Sequence, residues 1–182
     1  VSDPDDTVYN GKEQKQPITV TDKAGNELTP DVDYKVTYSE DTTNVGTVTV
    51  TIEGIGDYTG TVERTYQITP KAVTVTADDK TKVFGAKDPA LTATVTDMVP
   101  GESESLISYT ISRAAGETVE GSPYTITPTG EKYQGNYEVS YVTGKLTITP
   151  QSIDPVDPSY DGIQVSDPDD TVYNGKEQKQ PI

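Results

Sequence analysis

Apolar and polar side chains alternate along most of the chain, which is the pattern of β-strands that bury one face. The positions between the apolar ones are mainly threonines, so the opposite face of each strand is expected to meet solvent. The pattern therefore predicts sheets with one buried and one solvated face. The apolar rows are Tyr34/Val36/Tyr38, Val48/Val50/Ile52, Val73/Val75/Ala77, Leu91/Ala93/Val95, Ile107/Tyr109/Ile111, Tyr124/Ile126, Tyr137/Val139/Tyr141 and Leu146/Ile148.

Residue choice also favours strands over helices. The chain has 29 Thr and 20 Val but only 4 Leu and 8 Ala. β-Branched residues pack well on a pleated sheet, whereas Leu and Ala favour helices. We therefore predict an all-β fold. Its cores should be small, because only 31% of the residues are hydrophobic.

The chain contains an exact internal repeat. Residues 1–18 and 165–182 both read VSDPDDTVYNGKEQKQPI, at an offset of 164 residues. This predicts a parent protein with near-identical repeats of 164 residues. Within one repeat, Ile68-Thr69-Pro70 and Ile148-Thr149-Pro150 each end a module, because Pro cannot continue a strand ladder. The predicted units are a first β module (1–70), a second β module (71–150), a linker (151–162) and the start of the next repeat (163–182).

The region after the second module is acidic. Residues 151–172 contain six Asp, three Pro and no Lys or Arg, which favours an extended linker over 151–162. The opening strand of the second module, Val73-x-Val75, has its counterpart at Ile163-x-Val165. Because Val165 corresponds to Val1, the first module is expected to lack most of its opening strand. We expect 165–182 to pair head to tail with the incomplete first module of a neighbouring molecule.

Charge and composition exclude several classes of function. The net charge is −16, and the chain has no His and no Cys. Disulfides, Cys/His zinc sites and Ser-His-Asp or Cys-His catalysis are therefore excluded, and we expect no enzyme activity and no catalytic residues. The negative charge argues against nucleic acid as a partner. The apolar stretches are too short for membrane insertion.

Several motifs point to a family. Tyr9-Asn10-Gly11-Lys12 and Gly54-Ile55-Gly56-Asp57-Tyr58-Thr59-Gly60 lie in a stretch, residues 8–70, that resembles a module of large surface proteins of Gram-positive gut bacteria. Residues 71–150 resemble an MBG domain of the YGX type. The motifs that carry this second resemblance are Val83-Phe84-Gly85, with Phe where Tyr is usual, Asp88-Pro89-x-Leu91, Arg113-Ala114-Ala115-Gly116-Glu117, Tyr124-x-Ile126, Asn136-Tyr137 and Leu146-Thr147-Ile148.

The resemblance implies a β-grasp-like or Ig-like sandwich fold for the two small tandem β modules, which we expect in an elongated arrangement. It also implies an extracellular, cell-wall-anchored location on a Gram-positive bacterium. It brings no catalytic residues with it.

Candidate chemistry in the sequence is limited to acidic residues and tyrosines. Asp5, Asp6, Asp154 and Asp157 are candidate calcium ligands, since calcium prefers several oxygen ligands in Asp-rich loops. None of these loops matches an EF-hand, so no cofactor is expected unless calcium binds. A Lys–Asn or Lys–Asp isopeptide bond is disfavoured, because no Lys lies in an apolar row.

Loops supply the candidate ligand-binding residues, which are Glu102, Glu104 and Tyr133. Tyr133 is expected to be exposed, whereas Tyr58 is expected to pack its loop onto the core. The function we predict is a stalk or spacer repeat of a surface adhesin, with neighbouring repeats as its partners. The alternative is an adhesion module that binds mucin glycans or a host matrix glycoprotein.

Overall fold

The computed structural model describes residues 1–154, 156–157, 162 and 179. Over these residues the chain forms strands and one 3-10 turn, with no α-helix, which confirms the all-β prediction. No helix in this part of the chain is long and apolar enough to cross a membrane. The elements are β1 (Thr7–Val8), β2 (Tyr34–Tyr38), β3 (Gly46–Gly54), β4 (Thr61–Thr69), β5 (Lys71–Ala77), β6 (Lys80–Val83), β7 (Ala93–Thr96), the 3-10 turn (Glu104–Leu106), β8 (Thr110–Arg113), β9 (Tyr124–Thr129), β10 (Tyr133–Gln134), β11 (Tyr137–Val142) and β12 (Gly144–Thr149).

The first module contains one four-stranded sheet in the order β1-β4-β3-β2. β1 runs parallel to β4, and the other neighbours are antiparallel. Val48, Val50 and Ile52 of β3 are buried at alternate positions, as the periodicity predicts. On β4 the buried side chains are Tyr66 and Ile68.

The second module contains two four-stranded sheets, in the orders β10-β11-β5-β7 and β6-β12-β9-β8. β11 and β12 are separated only by Thr143, so the chain passes from one sheet to the other at that residue. Ala77 of the first of these sheets packs against Ile126 and Leu146 of the second, and the three form a small buried cluster. The two sheets therefore share apolar side chains.

The sheet of the first module and the sheet β6-β12-β9-β8 have the same strand order and register. Ile68 is paired with Thr7 on the parallel strand, as Ile148 is with Lys82. Val48 is opposite Tyr66 on the antiparallel neighbour, as Tyr124 is opposite Leu146. The two modules are therefore built on the same four-stranded plan.

The largest apolar core does not stop at Pro70. Its buried side chains come from both modules, and those of the second module lie mainly on β5 and β11. The core members are Tyr9, Tyr34, Val48, Val50, Ile52, Tyr66, Ile68, Val73, Val75, Val95, Val99, Ile107, Tyr137 and Val139. The modules thus contact each other through apolar surface as well as through the chain.

The predicted linker is described only at 151–154, 156–157 and 162, and the predicted start of the next repeat only at Lys179. The expected head-to-tail contact through 165–182 lies outside the described residues.

Candidate functional site

The best-formed arrangement of polar groups lies at the junction between the two modules. β4 ends at Thr69 and β5 begins at Lys71, so Pro70 is the one residue between them. The backbone N–H of Lys71 donates to the carbonyl of Asn136 at 3.0 Å, which places the start of β5 beside the start of β11. This short connection brings the end of the first module against the loops of the second.

Two tyrosines from different modules meet at this junction on one carboxylate. Tyr9 follows β1 and is 7% exposed, while Tyr137 opens β11 and is 2% exposed. Their rings pack edge to face, with 5.7 Å between centroids and an interplanar angle of 84°. Both hydroxyls donate to Glu102 at 2.5 Å, from Tyr9 to Oε1 and from Tyr137 to Oε2. A single carboxylate thus satisfies both buried hydroxyls.

This arrangement changes the acidity of both tyrosines. The hydrogen bond to Glu102, followed by burial, raises the pKa of Tyr9 above its ordinary value. Burial, followed by the hydrogen bond to Glu102, raises the pKa of Tyr137 to about 12. Both effects disfavour a phenolate next to a carboxylate in an apolar setting. The tyrosines are therefore held as hydrogen-bond donors at neutral pH.

Amides complete the junction beside the tyrosines. The side chain of Asn136 accepts a hydrogen bond from the backbone N–H of Val45 and donates to Oδ1 of Asn44, each at 2.9 Å. Gly11, at a φ of 76°, approaches Val99 so closely that an added Cβ would lie 2.9 Å from its Cγ1. Side chains and backbone from both modules are therefore fitted together here.

A second polar cluster lies within the second module, and it contains four charges of both signs. Lys82 of β6 contacts Asp88 at 2.7 Å and Glu117 at 2.5 Å. The guanidinium of Arg113 contacts the same Asp88 at 2.6 Å and also pairs with Glu117. Its remaining N–H groups donate to backbone carbonyls, and its guanidinium lies 5.8 Å from the centroid of the Tyr124 ring.

The charges of this cluster stabilise one another. Hydrogen bonds from Arg113 and then Lys82 lower the pKa of Asp88 to about 2. The pKa of Glu117 is also lowered, first by Lys82 and then by Arg113. Hydrogen bonds to the two carboxylates raise the pKa of Lys82. All four groups are therefore ionised at neutral pH, which suits a structural clamp better than proton transfer.

Three of these four residues, Asp88, Arg113 and Glu117, belong to the motifs on which the family resemblance rests. Residues 73–147 match the family model of the MBG domain (YGX type). The match covers most of the second module and less than half of the chain. No curated protein matches the chain.

The MBG segment also contains a buried lysine that the sequence pattern did not predict. We expected no Lys in an apolar environment, yet Lys82 is buried. The residue on the same face of β6, two positions before it, is Lys80, so periodicity gives no signal for its burial. The ion pairs to Asp88 and Glu117 compensate for the desolvation of its ammonium group.

The structure places the three candidate ligand-binding residues of the MBG segment in different surroundings. Glu102 is partly buried at the module junction and accepts the two tyrosine hydroxyls. Glu104 is exposed at the start of the 3-10 turn. Tyr133 is 60% exposed, in agreement with the sequence analysis, and Lys132 Nζ lies 5.0 Å from its ring centroid. The structure does not bring the three together into one cavity.

The candidate calcium ligands are also separated into two places. Asp6 accepts a hydrogen bond from the backbone N–H of Gln67 at 2.7 Å, and Asp5 is exposed beside it. Asp154 accepts from the backbone N–H of Val156 at 3.0 Å, and Asp157 follows in the same turn. Within the described part of the chain, no three acidic residues form a group that could hold a metal ion.

One expectation about a tyrosine is wrong. Tyr58 does not pack its loop onto the core, because it is 42% exposed. It lies at the rim of a surface pocket that Val20, Leu28 and Ile52 also line.

The sequence pattern does not identify Tyr9, Asn136 and Tyr137 as junction residues. A weak signal exists, because each tyrosine stands next to an Asn in Tyr9-Asn10-Gly11 and in Gly135-Asn136-Tyr137. Local sequence does not show, however, that the two motifs meet across a separation of more than a hundred residues.

Proposed function

We propose that the protein is a spacer repeat of a bacterial surface protein, which holds a distal binding region away from the cell wall. The observation that supports this most strongly is the module junction. Pro70 joins β4 to β5 directly, and Tyr9, Glu102 and Tyr137 lock the two modules to each other. A unit with a fixed internal junction transmits length and direction along a chain of repeats.

The exact repeat also supports a spacer. Copies of a 164-residue unit add length in equal steps, and a spacer tolerates a change in copy number. The net charge of −16 keeps such a chain soluble and resists its collapse. An extracellular, wall-anchored location on a Gram-positive bacterium is part of this proposal, and the MBG match is compatible with it.

Small-angle scattering of the full chain tests the proposal. A compact chain of 182 residues has a radius of gyration of about 16 Å. Two modules placed end to end, each roughly 30 Å long from strands of nine residues, give a distinctly larger value and a rod-like distance distribution. A radius of gyration near that of the compact chain would contradict the spacer role.

A second candidate function is adhesion to mucin glycans or a host matrix glycoprotein. The observation in its favour is Tyr133, because an exposed tyrosine ring suits stacking on a sugar. Binding of the full chain to immobilised mucin, with loss of binding in Tyr133→Ala, would support it. The control is Val142→Ala, which alters another exposed apolar side chain of the same module. Absence of binding at high protein concentration would leave the spacer role alone.

A further inference from the structure

The two modules end in the same way, with an aromatic residue after the parallel strand. The backbone N–H of Tyr9 donates to the carbonyl of Thr69 at 2.9 Å, and that of Phe84 donates to the carbonyl of Thr149 at 2.8 Å. The register of β1 on β4 and of β6 on β12 makes these equivalent positions. We define the exit face of a module as the surface around this aromatic residue, beside the point where the chain leaves the module.

The two exit faces differ in what covers them. The exit face of the first module is closed by the second module, so that Tyr9 is only 7% exposed. The exit face of the second module is open, and Phe84 is 46% exposed. Val119 and Pro150 line the same apolar surface as Phe84.

The modules also begin in the same way. Gly56-Asp57-Tyr58 lies before β4 and Gly135-Asn136-Tyr137 lies at the start of β11, and Gly56 and Gly135 both have positive φ. Tyr58 lies 11 residues before Thr69, and Tyr137 lies 12 residues before Thr149. We define the entry face of a module as the surface around this tyrosine. The first residues of each module lie beside it, because Val1 lines the surface around Tyr58 and the backbone N–H of Lys71 donates to the carbonyl of Asn136.

The two entry faces differ in the same sense as the exit faces. Tyr137 is 2% exposed because Tyr9 and the first module cover it, whereas Tyr58 is 42% exposed. Around Tyr58 the lining is mainly apolar and includes Val20 and Leu28, with Asp33 among its polar members. Among the described residues there are therefore one uncovered exit face and one uncovered entry face, and the internal junction covers the equivalent of both.

We propose that the exit face of one repeat, centred on Phe84, docks onto the entry face, centred on Tyr58, of the first module in the following copy. This would be a second junction of the kind that Tyr9 and Tyr137 form inside the repeat. Phe84 has no hydroxyl, so it needs no counterpart of Glu102. The mainly apolar lining around Tyr58 matches the absence of a hydroxyl on Phe84.

Because the linker joins the two faces in one chain, a weak interaction is sufficient to keep them docked. The following copy begins at Val165, and residues 151–162 between the two modules can span up to about 40 Å when extended. A tether that is long enough to join the two faces gives them an effective concentration in the millimolar range. An interface of modest affinity would therefore be closed in the repeated chain. The inference rests on the proposed tandem spacer, and it adds that successive repeats are stacked and not freely jointed.

A tryptophan reporter tests the docking, because the chain has no Trp of its own. Tyr58→Trp keeps an aromatic ring on the entry face and makes it the only tryptophan, whose emission can be excited apart from that of the tyrosines. At low concentration its emission should be red-shifted and readily quenched by acrylamide. Adding excess unsubstituted chain supplies exit faces in trans. A chain lengthened by one 164-residue unit, with the substitution at Tyr58 of the second copy, supplies one through the tether.

When unsubstituted chain is added in trans, we expect a saturable blue shift of the tryptophan emission. In the lengthened chain, we expect an acrylamide quenching constant at least threefold lower than that of the isolated Tyr58→Trp chain, and independent of protein concentration. Phe84→Ala in the chain that supplies the exit face should abolish both effects. Val142→Ala is the matched control, because Val142 is 45% exposed on the same module but is not on the exit face. It should leave both effects unchanged.

Two results would overturn the proposal. One is that acrylamide quenches the tryptophan as strongly in the mixture and in the lengthened chain as it does in the isolated Tyr58→Trp chain. The other is protection that survives Phe84→Ala, which would assign the cover to the linker, where Ile153 and Val156 are exposed. Neither result bears on the spacer role itself, because a freely jointed chain of elongated repeats would still give the extended scattering profile described above.

Discussion

Glu102 is the residue on which the module junction most depends. Its two carboxylate oxygens accept from Tyr9 and Tyr137, and the backbone N–H of Val99 donates to the Tyr137 hydroxyl at 3.2 Å. Neutral acceptors at this position would give weaker bonds, since hydrogen bonds to an ionised group are about twice as strong as neutral ones. An acidic loop residue that looked like a ligand-binding candidate therefore has a structural role.

Replacing this carboxylate should destabilise the protein. Glu102→Ala leaves two buried hydroxyls without their acceptor, and we expect a loss of about 1.5–3 kcal/mol in the free energy of unfolding, measured by urea denaturation. The matched control is Glu104→Ala, which removes an exposed carboxylate two residues away. That change should cost less than about 0.5 kcal/mol. Equal losses in the two variants would show that the tyrosine contacts contribute nothing.

The same tyrosines predict a loss of stability in alkali. An unfolded tyrosine titrates near 10, whereas Tyr137 in the folded protein has a pKa of about 12. Between these values the unfolded chain has lost the proton that the folded chain keeps, so stability falls as pH rises from 10 to 12. The urea midpoint should therefore hold steady from neutral pH to about pH 9 and fall above pH 10.

Tyr137→Phe tests the assignment, since it removes the titrating group but retains the ring. The fall of the urea midpoint above pH 10 should be shallower in this variant. An unchanged slope would show that the alkaline effect arises at other groups whose pKa the fold raises, such as Lys82 or Tyr66.

At the scale of the elements, periodicity predicted the strands well and their partners poorly. Val48, Val50 and Ile52 are buried as their spacing requires, because a strand in a half-buried sheet needs one apolar side. The pairing of β1 with β4 and of β11 with β5 is parallel and non-local, and no local pattern encodes it. The conformation of the turn at Tyr9-Asn10-Gly11 also depends on a tertiary contact, because Gly11 lies against Val99.

That turn contains Gly11, and its substitution should be costly. Gly11→Ala places a Cβ 2.9 Å from Val99 Cγ1 and 3.2 Å from Glu102 Oε1, at a φ of 76°. Gly25→Ala is the matched control, with a φ of 89° and no atom within 4 Å of the added Cβ. Both variants strain the backbone, so their difference isolates the contact at the junction.

We expect Gly11→Ala to lower the free energy of unfolding by at least about 1 kcal/mol more than Gly25→Ala does. Urea denaturation of the two variants measures the difference. Equal values would mean that the junction yields to the extra methyl group without cost.

At the scale of the molecule, the continuous core predicts that the two modules unfold together. Buried side chains of the first module share one cluster with those of β5 and β11. Separate opening of either module would expose that shared surface, so calorimetry should show one transition with equal calorimetric and van't Hoff enthalpies. Two resolved transitions in the unsubstituted chain would contradict this.

A variant that weakens the junction should uncouple the modules. Tyr9→Ala removes the ring that packs on Tyr137 and one of the two hydroxyls on Glu102. We expect its transition to broaden or divide into two. Val8→Ala is the control, because this neighbouring side chain is exposed and lies outside the core.

The sequence by itself determined the strand class, the repeat and the resemblance of 71–150 to the MBG domain. Each of these depends on local or linear information, such as side-chain alternation, the identity of 1–18 with 165–182, and motif spacing. The burial of Lys82 and the exposure of Tyr58 could not be predicted from such information. Both depend on groups that the fold brings in from elsewhere in the chain. The periodicity of β6 shows no apolar environment for Lys82, and a loop motif does not show whether a second module covers its tyrosine.

Only the tertiary structure decided how the modules meet. Tyr9, Glu102 and Tyr137 are far apart in the chain, and their contact depends on the parallel registers of β1 on β4 and β11 on β5. These registers are set by the packing of a shared core and not by any single segment. The structure also showed which aromatic residues the internal junction covers and which, like Phe84 and Tyr58, it leaves open.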